Sequence, residues 1–174
     1  MTDPARSVDP DVDLHIPGQR RELSPSPWPV LVAVSAGGVL GALARYGLAE
    51  AVPRPPGGFP WATFAANLSG CLLIGVLMAL VDQVWSGRRL IRPFLGVGVL
   101  GGYTTFSTYV VDTQRTVADG APGTALLYLA ATMAGALLAV WAGTAATGAA
   151  LARRSRPADQ ERYAVAGQAR ETGR

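Results

Sequence analysis

The sequence predicts an all-α integral membrane protein with four transmembrane helices, the third of them broken mid-membrane. Three observations predict it. Of the 174 residues 49% are hydrophobic, and they gather into four long runs. The charged residues lie at the two ends and in the short connections between the runs. The third run carries GGYTTFSTY at residues 101–109, two glycines followed by hydroxyl and aromatic residues. Glycine weakens a helix, and Thr and Ser compete for its backbone bonds. In hydrocarbon an unpartnered backbone group costs several kcal/mol, so a broken helix survives there only where it lines a cavity or holds an ion.

Residues 1–27 are polar and proline-rich, carry Asp3, Asp9, Asp11 and Asp13, and lack the apolar core of a signal peptide. They read as a disordered cytosolic leader. The first run, residues 28–49, contains GGVLGALARY, in which Gly37, Gly41 and Ala44 form a small-residue face for close helix packing. A turn rich in Pro and Gly follows at 53–58. The second run, residues 59–84, has Trp61 and Trp85 near its ends as interfacial anchors. Its polar residues include Thr63 and Asn67, which share a helix face at spacing four, and Ser69, with Gly70 and Gly75 adding small-residue contacts. A charged loop, 86–92, leads into the third run at 93–117. The fourth, residues 120–152, has a small face of Gly135, Gly143 and Thr147, and Tyr128 and Thr132 share another. Residues 153–174 read as a second polar, disordered tail. One membrane domain, 28–152, thus stands between two tails.

The formal charge of +3 comes from arginine alone, since the chain has no lysine. Arginines flanking apolar runs are a topology signal rather than a nucleic-acid footprint. Four spans put both termini on one side. Arg20, Arg21, Arg88, Arg89, Arg92, Arg153, Arg154 and Arg156 lie on that side, against Arg54 and Arg115 on the other. Both termini are therefore expected in the cytoplasm, in the plasma membrane of a prokaryote with GC-rich DNA. Cys71 and His15 are the only cysteine and histidine. A disulfide, a thiolate metal cluster and a Ser-His-Asp triad within the membrane are excluded, and an enzyme is the least supported class.

GGVLGALARY at 37–46, FPWATFAANLSG at 59–70 and GVLGGYTTFSTY at 98–109, in that order, one per helix, resemble the CrcB/Fluc fluoride channel family. The resemblance covers residues 28–152. It implies a passive fluoride-exporting channel formed by an antiparallel, dual-topology dimer in the lipid bilayer. It further implies a structural sodium ion (Na+) at the dimer centre, held by backbone carbonyls of Gly101 and Thr104 from each subunit. Asn67 would be a polar pore residue with Thr63 nearby, and Phe106 the first of two pore phenylalanines. Tyr128 and Thr132 would belong to a polar track on the fourth helix, and Arg45 would close the first-helix motif. The chain departs from the family's pattern at Tyr109, where a second phenylalanine is common, at Ala62, often glycine, and at Ala136, often serine.

Fluoride is small and strongly hydrated, so a pore must replace its water with donors. The Asn67 amide and the hydroxyls of Thr63, Ser107 and Thr132 are such donors. The positive ring edges of Phe106 and Tyr109, three residues apart, can face an anion. Read from the residues alone, Asn67 also fits an interhelical hydrogen bond, Phe106 and Tyr109 fit packing, and Arg45 fits snorkelling to the interface. Two other functions compete. A small multidrug-type proton antiporter needs an embedded carboxylate, and Glu50, Asp82 and Asp112 all fall near expected helix ends. A non-transporting scaffold explains the small-residue faces but not the break. The strong arginine bias favours one insertion orientation, hence a heterodimer with an oppositely oriented paralogue over a dual-topology homodimer.

Overall fold

The computed structural model describes residues 27–85, 88 and 90–171, with side chains described as far as 153. The readings of 1–26, of 86, 87 and 89, and of 172–174 fall outside it. The described residues form helices without strands, and four stretches are long and apolar enough to cross a membrane. Helix α1 is Trp28–Ala51, with a proline in its first turn, where the missing N–H costs nothing. Helix α2 is Trp61–Gln83, entered from Pro60. The third crossing is composite: α3 (Arg92–Leu100), α4 (Gly101–Tyr103) and α5 (Ser107–Ala118). Gly120, at φ 81°, then turns the chain into α6, Pro122–Glu171.

Leu31, Val39, Leu73, Val97, Leu137 and Trp141, spread over all four crossings, point outward. In water such faces would be aggregation sites, but in lipid they are the ordinary outer surface. The interior is built from small residues instead. Helix α1 packs chiefly on α3 and α4, and α2 chiefly on α6, so sequence neighbours are not the main packing partners. At the first interface Gly37 and Gly41 bring α1 against the backbone of Phe94, Val99 and Tyr103. At the second, Gly75 abuts Val140 and Thr144, and Gly143 abuts Leu72 and Val76. Without a hydrophobic force between helices in lipid, such backbone-to-backbone contact supplies the dispersion that holds them together.

Helix α3 is wound with π geometry: the N–H of Gly101 reaches back five residues to the Gly96 carbonyl. Nine residues is long for such winding, which usually appears as a single turn near a functional site. Gly101 and Gly102 stay helical, so the irregular stretch is narrower than the motif that announced it. Helical geometry stops at Tyr103, Thr104 is extended (φ −81°, ψ 156°), and α5 begins at Ser107.

Two expectations differ from what is observed. The backbone stays helical to Glu171, where a tail without regular structure was expected. Ala, Arg, Gln and Glu dominate that stretch and are strong helix formers. Asp112, expected near a helix end, is buried in the middle of α5. The connection before α2 folds back over α5 and covers it.

Candidate functional site

The irregular stretch exposes backbone groups that a continuous helix would have consumed, and each has a traceable fate. The Leu100 carbonyl takes both the N–H of Thr104, at 2.9 Å, and its hydroxyl, at 2.8 Å. Asn67 closes the next residue from both sides. Its Oδ1 accepts the Thr105 N–H at 2.8 Å and its Nδ2 donates to the Thr105 carbonyl at 3.0 Å. The Thr105 hydroxyl accepts the N–H of Thr108 at 3.2 Å, capping the start of α5. Arg45 donates from Nε to the Gly102 carbonyl at 3.2 Å. A cation at a helix C-terminus also complements the dipole there. Among the described residues, no hydrogen bond ends on the carbonyl of Gly101 or Thr104. Those two oxygens are hard ligands of the kind that replace an alkali ion's water.

An open cleft of about 550 Å³ runs beside this stretch, and Asn67, Gly101, Thr104, Phe106, Tyr109 and Thr132 all line it. The structure therefore brings together most of the residues singled out from the sequence. Phe106 and Tyr109 touch, with ring centroids 5.9 Å apart, yet they differ in setting. Phe106 is 75% exposed and Tyr109 only 7%. The Tyr109 hydroxyl, an unassigned addition at the sequence level, donates to the Leu129 carbonyl at 3.0 Å. Ser107 is exposed, and its hydroxyl lies 3.3 Å from that of Thr105.

Behind Tyr109 stands Tyr128, fully buried, with rings 5.2 Å apart, and Phe59 meets it edge-on at 5.3 Å. The hydroxyls of Tyr128 and Thr132, one turn apart on α6, are buried and have no hydrogen-bond partner. A buried hydroxyl left unsatisfied costs about 1–3 kcal/mol, so two on one face need a reason. Thr63 and Asp112 lie near the Tyr128 hydroxyl without reaching hydrogen-bond distance of it, and Thr63 donates its own proton to Asp112 at 2.6 Å.

Sequence reasoning missed three contributors. Thr105 organises the irregular stretch but was one hydroxyl among several in the motif. Asp112 and Arg54, 58 positions apart, meet through a hydrogen bond to the Asp112 carbonyl and an ion pair at 4.0 Å. No local pattern signals such a pair.

Arg45→Ala is expected to lower the thermal midpoint in detergent, the equivalent of about 1–2 kcal/mol, because the Gly102 carbonyl loses a charged donor. Arg45→Lys should recover part of it, and an unchanged midpoint for both would show that the contact is incidental.

The chain matches the family described as CrcB-like protein, Camphor Resistance (CrcB), over residues 32–144. It is 50% identical over 125 residues to the "Fluoride-specific ion channel FluC 2" of Streptomyces avermitilis, covering 72% of this chain and 79% of that one. To the protein of the same name from Thermobifida fusca it is 53% identical over 126 residues, 72% of this chain and 93% of the other. A "FluC 3" of Streptomyces avermitilis shares 45% over 127 residues, 73% of this chain and 62% of that one. The matched span runs from the first crossing into the fourth and contains the whole irregular stretch and its partners: the chain is a multi-pass membrane protein that belongs to the CrcB family.

Proposed function

We propose that the chain is a subunit of a fluoride-selective channel, not an enzyme, that lets cytoplasmic fluoride leave passively and so relieves its toxicity. The observation that carries this reading is the pair of buried, unpartnered hydroxyls of Tyr128 and Thr132. Both are donors, and the rings of Phe59 and Tyr109 pack against the ring that carries the first of them. Hydroxyl protons and ring edges suit a small anion and offer a cation little. None is a fixed positive charge, so an anion binds weakly at several points and moves on, as conduction requires. The names of the relatives support the same ion.

The cleft edge supports a second subunit. Phe106, exposed on one chain, would be covered by a partner in the opposite orientation, either another copy or a paralogue. Paralogous FluC 2 and FluC 3 proteins of Streptomyces avermitilis make the second option concrete. A mid-membrane break at 104–106, with two such chains meeting there, would let the Gly101 and Thr104 carbonyls of both hold a sodium ion. Bound there, the ion would supply a fixed positive potential to an anion route. In that assembly Asn67 and Thr105 fix the backbone that presents those oxygens, and Arg45 holds the adjoining carbonyl. The arginine bias supports cytoplasmic termini.

Two rival readings make different predictions. A proton antiporter would move substrate only in exchange for protons, and Asp112, the one buried carboxylate described, already engages Thr63 and Arg54. A scaffold would move nothing. Purified protein in liposomes loaded with fluoride should release it to a fluoride electrode without a proton gradient and retain chloride. Tyr128→Phe and Thr132→Val, each removing one donor, should slow release by about tenfold, on the scale of a single hydrogen bond. Unchanged release in both would remove the donor pair from the pathway.

A further inference from the structure

Arg54 makes several contacts at one end of the bundle. It lies in the connection between α1 and α2, with its side chain 19% exposed. Its Nη1 donates to the Asp112 carbonyl and to the Thr116 hydroxyl, both at 3.2 Å, and stands 4.0 Å from the Asp112 carboxylate. Its Nη2 donates to the Asp119 carboxylate at 3.3 Å. That carboxylate also accepts the Gly57 N–H at 2.9 Å, which fastens the α1–α2 connection to the corner between α5 and α6.

Asp112 is the group that needs this arrangement. It is buried, three residues after Tyr109 and so on the same face of α5, and it faces Thr63 of α2 and Tyr128 of α6. A carboxylate therefore stands beside donors assigned above to a passing anion. Left bare, it would repel that anion with little solvent to screen the charge. A charge of opposite sign beside it offsets that repulsion, and Arg54 is the cation that the fold brings there.

We propose that Arg54 is a positioning and specificity residue of the anion route: it cancels the charge of Asp112, so that an anion can occupy the neighbouring hydroxyl donors. The inference rests on the channel reading. Arg54 acts through Asp112, and its tie to Asp119 serves to hold the guanidinium in place.

The test is fluoride release from liposomes holding wild type, Arg54→Gln, Asp112→Asn, Asp119→Asn or the double variant Arg54→Gln/Asp112→Asn. Arg54→Gln is expected to slow release by at least about tenfold. The double variant, in which no carboxylate is left to oppose the anion, should recover to within about threefold of Asp112→Asn alone. Asp119→Asn should cost less than Arg54→Gln. A purely structural clasp predicts the reverse: Asp119→Asn as slow as Arg54→Gln, and no recovery in the double variant. Either result overturns the proposal, as does wild-type release in Arg54→Gln. Should Arg54→Gln aggregate, Arg54→Lys decides. It keeps the charge but not the fork, so retained release supports charge cancellation and lost release refutes it. A wild-type protein that stays silent even when co-expressed with a paralogue would instead sink the channel reading and this inference with it, an outcome visible before any variant is compared.

Discussion

Asn67→Ala is expected to reduce fluoride release at least about a hundredfold and to destabilise the protein by about 2–5 kcal/mol. One amide satisfies both the N–H and the carbonyl of Thr105 at 2.8 and 3.0 Å, and Asn67 itself is buried. No other side chain type matches that pair, because only a carboxamide offers an acceptor and a donor side by side. Its removal leaves two backbone groups unpaired in a region without water to replace them. The irregular stretch would then shift, and with it the Gly101 and Thr104 oxygens. Asn67→Asp is the sharper variant. It keeps an acceptor for the Thr105 N–H but sets a carboxylate against the Thr105 carbonyl, so it should fail as badly. Release and thermal midpoint measured on the same preparation check both parts. A stable, fast-conducting Asn67→Ala protein would show that the irregular backbone holds itself.

Gly41→Ala should cost several kcal/mol, at or above the usual 1–3 kcal/mol of overpacking, roughly, because the obstruction is backbone rather than side chain. A Cβ at Gly41 would run into the Val99 carbonyl oxygen and come within 2.8 Å of the Tyr103 nitrogen. Neither can rotate away, so α1 must lift off the third crossing. Gly38→Ala, three residues earlier, meets nothing within 4 Å. It should be neutral, or stabilising by up to about 1 kcal/mol through helix propensity. The contrast in thermal midpoint between these two single-methyl variants isolates packing from propensity. Equal effects would mean that α1 and α3 are not held at this distance.

Much of this was legible in the sequence because the membrane imposes it. Runs of about twenty apolar residues, and tryptophans at their ends, announce four crossings within a few residues of their observed bounds. The small-residue faces were legible too, since Gly37 and Gly41 repeat at helical spacing. The candidate site was legible mainly through the resemblance of its three motifs to a known family, since Asn67 read alone also fits an interhelical hydrogen bond, and it does bond the Thr105 backbone. What was not legible depends on long-range approach. Asp112 looked peripheral because it falls near the end of the third apolar run, whereas it stands in the middle of α5 with Arg54 and Thr63 of other elements against it. The Tyr109 hydroxyl could not be assigned because its acceptor is the backbone of Leu129, which has no sequence signature. The π winding of α3 left no mark that ordinary helical periodicity distinguishes.

The pairing of α1 with the third crossing, and of α2 with α6, also fixes an order of events during synthesis. When α1 and α2 have entered the bilayer, neither has met its main partner. The glycine face of α1 must wait until residues near Val99 have been made, and that of α2 until Val140 and Thr144 have. An α1–α2 hairpin has little to hold it, so the subunit closes in two steps, α1 onto the third crossing first and α2 onto α6 last. Until the third crossing arrives, α2 carries Thr63 and Asn67 through the membrane without their hydrogen-bond partners Asp112 and Thr105. The half-made chain is therefore the stage most exposed to degradation, and a truncation before α6 strands α2 rather than leaving a smaller working unit.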